Sequence, residues 1–160
     1  MKLYLVRHGE TDWNIDSKIQ GHTDIALNEK GRQQAGELAR VLAEGNYHIK
    51  EIYTCDKERA WETARIIGNV LGITPKVAKG LEEICLGKWE GHTWKQVKEQ
   101  FSEEFALWHS DRRHQVPPMG ESYQQLLDRL LPAIDDIIKK EQEDTLIVTH
   151  SGVIMTLLSY

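Results

Sequence analysis

Short apolar runs alternate along the chain with longer segments of helical period. Leu3-Tyr4-Leu5-Val6 and Thr145-Leu146-Ile147-Val148-Thr149 have strand length and are apolar on both faces, the pattern of strands buried in a parallel sheet. Glu51 to Thr54 and Thr74 to Ala78 read as further strands, and Leu81 to Gly87 as another extended piece that ends at a glycine. Between them, Ala35, Leu38, Ala39 and Leu42 share one helical stripe, and Ala60, Ala64, Ile67 and Leu71 another. The strongest stripe is Tyr123, Leu126, Leu127, Leu130, Ile134, Ile137 and Ile138, and Pro132 inside it predicts a kink.

The helices carry their own punctuation. Asn28 and Asp56 read as N-caps, and Thr93-x-x-Gln96 and Ser122-x-x-Gln125 as capping boxes. Gly45-Asn46 and Gly72 close two helices. The helix opened at Thr93 runs to about Gln100, and an amphipathic piece follows from Phe101 to Trp108. His109 to Gly120, with Arg112, Arg113, His114, Pro117 and Pro118, has the composition of a loop over one edge and is the candidate lid. Strands alternating with helices predict an α/β fold with a mostly parallel sheet.

The length of 160 residues suits one domain with a single core. With 40% hydrophobic and 28% charged residues, no stretch reaches the roughly 20 apolar residues that cross a bilayer, so no membrane association is expected. The first apolar run stops at Arg7, too early for a signal peptide, which makes the cytoplasm the expected location. Cys55 and Cys85, the two cysteines, lack a metal-like spacing and read as buried hydrophobes. A net charge of -5 argues against a nucleic-acid partner, so an anionic substrate needs a locally positive pocket.

Such a pocket is suggested where the outer strands end. The first run gives way to Arg7-His8-Gly9-Glu10, and the last to His150-Ser151-Gly152 ahead of the apolar segment Val153 to Leu158. Parallel strands bring these two ends to one sheet edge, where α/β proteins form their sites. Arg59 falls in the first turn of the helix that follows Asp56, where free N–H groups already favour an anion. The polar stretches Thr11 to Asn14 and Gln20 to Asp24 follow the Arg-His pair and are placed to line the pocket.

Arg7-His8-Gly9-Glu10-Thr11, Asn14, Arg59-Ala60 with Thr63-Ala64, Leu81-Glu82-Glu83-Ile84 with Gly87-x-Trp89-Glu90-Gly91, Gly120-Glu121-Ser122 and Val148-Thr149-His150 together resemble the histidine phosphatase superfamily, which includes the cofactor-dependent phosphoglycerate mutases. The resemblance runs from Lys2 to Met155 and implies a phosphoglycerate mutase-like three-layer sandwich, a mostly parallel sheet with helices on both faces. It implies that His8 is the nucleophile, that Arg7, Arg59 and His150 hold the phosphate, and that Glu83, rather than its neighbour Glu82, gives the leaving alcohol its proton. Asn14, Gln20, Gly21 and Ser151 are implied as further contacts to phosphate or substrate. The resemblance implies no metal and no cofactor. Trp89 and Trp94 read as packing beneath the site, and Arg112 to His114 as a solvated basic loop.

The chain departs from the family pattern in two places. Ser151 stands where a glycine usually follows the second histidine, and only ten residues follow His150, where relatives continue with a further helix and strand. The chain therefore reads as a short or cut member, with the Val153 to Leu158 face left to drive homo-oligomerisation. The segment Leu81 to Gly91 resembles the phosphatase branches of the family more than the mutases, and the Pro-x-Gly-Glu-Ser stretch most resembles the α-ribazole phosphatase and broad-specificity phosphatase groups. The resemblance implies a phosphatase acting on a small phosphorylated metabolite, with α-ribazole 5'-phosphate as a candidate substrate. A phosphoglycerate mutase and a non-catalytic phosphometabolite-binding relative are the alternatives.

Overall fold

The strand that comes last in sequence lies inside the sheet. The computed structural model describes residues 1–160 and has four strands, β1 (Leu3–Arg7), β2 (Ile49–Thr54), β3 (Lys76–Val77) and β4 (Asp144–Thr149). Their order is β1-β4-β2-β3, and every neighbouring pair is parallel. Seven helices connect or flank them: α1 (Asp12–Ile15), α2 (Glu29–Glu44), α3 (Glu58–Leu71), α4 (Trp94–Gln100), α5 (Ser102–Ser110), α6 (Tyr123–Lys140) and α7 (Ser151–Ser159). The sheet is parallel throughout and helices cover both of its faces.

Alternation along the strands divides the core into two clusters. Leu146 and Val148 of β4, with Tyr4 and Val6 of β1, pack against Ala39 and Leu42 of α2 and Ala64 and Ile67 of α3. Ile147, Leu3 and Leu5 point the other way, toward Leu126, Leu130 and Ile137 of α6, Val153 of α7 and the aromatic group of Trp89 and Trp108. A strand with apolar residues at every position is stable only between two such layers.

The register brings three strand ends together. Arg7 pairs with Thr149 and Thr54 with Val148, so His8, Cys55 and His150 all lie at the carboxyl edge of the sheet. The His8 amide extends the ladder by donating to the Thr149 carbonyl at 3.0 Å.

Several local expectations are corrected. Asp56 does not cap α3: Lys57 holds that position without a side-chain bond, and Asp24 from the preceding loop accepts from the Glu58 amide at 2.8 Å instead. Of Thr74 to Ala78 only Lys76–Val77 pairs as strand, and residues 81–86 are irregular backbone, with the short 3-10 turn Gly87–Trp89 after them. Thr11 to Asn14 is a capped helical turn rather than a loop: Thr11 and Asn14 exchange a reciprocal capping box. Helix α6 continues through Pro132 to Lys140, and α5 reaches Ser110, so the loop begins at Asp111. On α7, Met155 and Leu158 are exposed. No helix is long and apolar enough to cross a membrane.

Candidate active site

His8 is held in one tautomer. Its Nδ1 lies 2.7 Å from the Gly9 carbonyl oxygen, which can only accept, so Nδ1 carries the proton and Nε2 keeps its lone pair. Gly9 is fixed in turn, its amide donating to Thr63 Oγ1 at 3.1 Å. Burial, with Arg59 and Arg7 nearby, drives the His8 pKa down to about 3, against a raising effect of the Gly9 bond. The imidazole is therefore neutral at any physiological pH.

Arg59 is fully buried in the first turn of α3. Its Nη1 donates to the Thr23 carbonyl at 2.8 Å and Nη2 to the Gly21 carbonyl at 2.7 Å, while Nε has no partner. The guanidinium thus anchors the 20–24 loop and retains unspent donors. Glu90 holds the same loop, accepting from the amides of His22 at 2.9 Å and Thr23 at 3.0 Å and from Thr23 Oγ1 at 2.5 Å. Gly21 adopts φ of 52°, a conformation that favours glycine, and a Cβ there would press on the Glu90 carboxylate that holds the loop.

Glu83 is aimed by backbone. Its carboxylate accepts from the Ile84 amide at 2.9 Å and from the Gly152 amide, in the first turn of α7, at 3.1 Å. Burial raises its pKa above the ordinary carboxylate value, although these amides, Arg59 and Arg7 oppose the shift. A Cβ on Gly152 would lie 2.4 Å from Glu83 Oε1. Glu82 turns away from the site, with Oε2 accepting from the Gly80 amide at 2.8 Å and 3.4 Å from Arg129 Nη1. Arg129 of α6 also donates to the carbonyls of Gly80, Glu82 and Glu83 at 3.0, 2.9 and 2.8 Å, and to Glu121 Oε1 at 2.5 Å. One guanidinium thereby fixes the irregular segment that carries Glu83.

His150, the N-cap residue of α7, is fully buried, and its ring centroid stands 5.2 Å from that of His8 in an edge-on arrangement. Burial, then Arg59 and His8, hold its pKa well below the usual histidine value. Its Nε2 lies 3.1 Å from Cys55 Sγ, and its Nδ1 is buried with no partner.

A cavity of 220 Å³ opens among these groups. Arg7, His8, Asn14, Gln20, Gly21, Arg59, Glu83 and Ser151 all line it, whereas His150 does not and stands in edge-on contact with the His8 ring. Asn14 spends Oδ1 on the Thr11 amide, and Gln20 spends Oε1 on the Thr11 hydroxyl, so each keeps its amide NH₂ for other partners. Lys18, Trp94, Tyr123 and Gly152 also line the cavity, beyond those the sequence indicated. Trp89 is core, as expected, but Trp94 is corrected: it opens α4, stacks on Trp108 at 5.5 Å, lines the cavity and remains 41% exposed. Arg113 bonds Gln124 and His114 bonds Asp111, whereas Arg112 lies over the Trp108 ring at 4.7 Å. Trp94 and Tyr123 are shared with an adjoining cavity of 300 Å³ that Lys98, Phe105, Trp108, His109 and Arg112 complete.

Glu90, Arg129 and Cys55 are the site-supporting residues that sequence reasoning missed. Glu90 and Arg129 act through contacts far apart in sequence, while Cys55 had a local signal in its place at the end of β2. Across the chain, no group of three or more His, Cys, Asp or Glu side chains is arranged to hold a metal ion.

A family model described as histidine phosphatase superfamily (branch 1) matches residues 3–160. The chain is 38% identical over 159 residues to phosphoglycerate mutase-like protein 4 of Arabidopsis thaliana, covering 98% of this chain and 69% of that protein. It is 35% identical over 160 residues to the metal-independent phosphoserine phosphatase of the same plant, covering 98% of this chain and 66% of that one. Its fold superposes on the α-ribazole phosphatase from Shigella flexneri with a TM-score of 0.88 at 29% identity, covering 99% of this chain and 78% of the other.

Proposed function

We infer that this chain, which belongs to the histidine phosphatase superfamily, hydrolyses small phosphomonoesters through a phosphohistidine intermediate. The observation that carries the reading is the His8 to Gly9 bond, which leaves an unprotonated Nε2 in a cavity shared with Arg7, Arg59 and Glu83. In the first step His8 Nε2 attacks phosphorus, the bond from phosphorus to the ester oxygen breaks, and Glu83 gives that oxygen its proton. Arg7, Arg59 and His150 hold the non-bridging oxygens, where charge must be stabilised. In the second step Glu83, now a carboxylate, takes a proton from water, which attacks the phosphohistidine and returns His8 with release of phosphate. Enzymes accelerate phosphate monoester hydrolysis by up to about 10²¹, of which general acid catalysis supplies about 10² to 10⁴. The nucleophile and the positive clamp must account for most of the rest.

For the leaving group, the adjoining cavity with its aromatic walls favours a planar or apolar alcohol, and α-ribazole 5'-phosphate meets that description. The test is phosphate release in EDTA from α-ribazole phosphate, phosphoserine, phosphoglycerate and sugar phosphates. Release is expected from the native chain, fastest with the aromatic ester, and lost in His8→Ala. Phosphate moved to a second hydroxyl instead of water would identify a mutase, and no turnover of any ester would leave a binding protein.

A further inference from the structure

Cys55 closes β2 as His8 closes β1 and His150 closes β4, and it is as deeply buried as His150. Its sulfur stands 3.1 Å from His150 Nε2. Burial pushes the thiol up to about 11, and the Lys57 amide, which acts on the same sulfur as a donor, only partly offsets this. Cys55 is therefore a neutral thiol with one hydrogen to place, and His150 Nε2 is the acceptor within hydrogen-bond distance of its sulfur. The hydrogen is left to point at Nε2. A neutral imidazole carries a single proton, so an Nε2 that accepts requires a protonated Nδ1. That Nδ1 is the buried atom with no partner. A buried donor without an acceptor is unfavourable, and an arriving anionic oxygen would supply the missing partner.

We propose that Cys55 is a positioning residue: its S–H donates to His150 Nε2, fixes the proton of that imidazole on Nδ1, and so presents Nδ1–H to a phosphoryl oxygen. The proposal rests on the reading of His150 as part of the phosphate clamp. In the other tautomer Nδ1 would turn a lone pair toward the phosphate and repel it. The role differs from that of Glu83 or Arg7, because Cys55 reaches the substrate only through the histidine.

The test pairs Cys55→Ala with Cys55→Ser in the full chain. Long-range proton–nitrogen NMR reads the His150 tautomer directly, without turnover, and steady-state kinetics read its consequence. The expected result is a single Nδ1–H tautomer in the native chain and in Cys55→Ser, and a tautomer mixture in Cys55→Ala. With it, kcat/KM should fall about 10- to 100-fold in Cys55→Ala, by analogy with the loss on removing the outer partner of a metal-bound histidine, and should return to within a few-fold of native in Cys55→Ser. An unchanged tautomer in Cys55→Ala overturns the proposal, as does an equal loss of kcat/KM in both variants. If the native chain hydrolyses no ester, the proposed activity fails, while the NMR result still decides the tautomer.

Discussion

At the scale of single residues, two titrating groups are pushed in opposite directions for one purpose. His8 is kept neutral by burial and two arginines, and Glu83 is kept protonated beyond the usual carboxylate range by burial. On the proposed mechanism, phosphoryl transfer to His8 needs both states at once, so kcat/KM should stay flat down to the acid region near pH 3 and fall on the alkaline side as Glu83 loses its proton. Glu83→Gln should slow an alkyl phosphate by about 10² to 10⁴. It should slow p-nitrophenyl phosphate far less, because that leaving group departs without a proton. Equal losses on the two esters would remove Glu83 from the acid's role. His8 was legible because it follows a strand end, where the sequence marks its own boundary, whereas Glu83 lies on irregular backbone and was legible only through the family motif around it. The tautomers of His8 and His150 were not legible, since they depend on a carbonyl and a sulfur whose placement only the register supplies.

At the scale of elements, α6 holds the segment that carries Glu83, the proposed acid. The capping box at Ser122 and the long apolar stripe announce the helix, and its face toward the sheet follows from the period. That Arg129 on this helix reaches the carbonyls of Gly80, Glu82 and Glu83 does not follow, because the contact joins segments more than forty residues apart. The same distance in sequence explains why the stretch 81–86 resembles a strand but pairs with none: its backbone groups are satisfied by an arginine fork and by Glu121 instead. β3 is only two residues long and pairs with β2 alone at the sheet edge. Arg129→Lys keeps the charge but loses the fork. It should lower turnover of alkyl phosphates by about tenfold to a hundredfold, the effect expected of an ångström-scale displacement of Glu83, and change p-nitrophenyl phosphate turnover much less. A fall shared by both esters would point to general loosening, which a thermal melt would register.

At the scale of the whole molecule, the buried histidines tie stability to pH. The folded-state pKa values of His8 and His150 are depressed, so below pH 6.5 the unfolded chain binds more protons than the folded one. Stability from this source is complete above pH 6.5 and is lost as pH falls toward about 3, the value for His8. Each such proton contributes a slope of at most about 1.4 kcal/mol per pH unit. Glu83 works the other way: its raised folded pKa favours folding below the ordinary carboxylate value and loses that contribution as pH rises through the folded one. Urea midpoints between pH 7 and pH 4 in phosphate-free buffer should therefore fall less steeply for His8→Ala than for the native chain; parallel slopes would contradict the burial argument. The position of β4 has a consequence in time as well as in space. It is made after β1, β2 and β3, yet it stands between β1 and β2 and pairs with both, Leu3 meeting Thr145. A nascent chain on the ribosome holds two strands with an empty slot between them until residue 149 has been delivered, and their unpaired edges must be shielded until then. Sheet closure and the meeting of His8 with His150 are then one late event, slowed by the cost of long-range contact, so catalytic competence arrives with the fold rather than in stages.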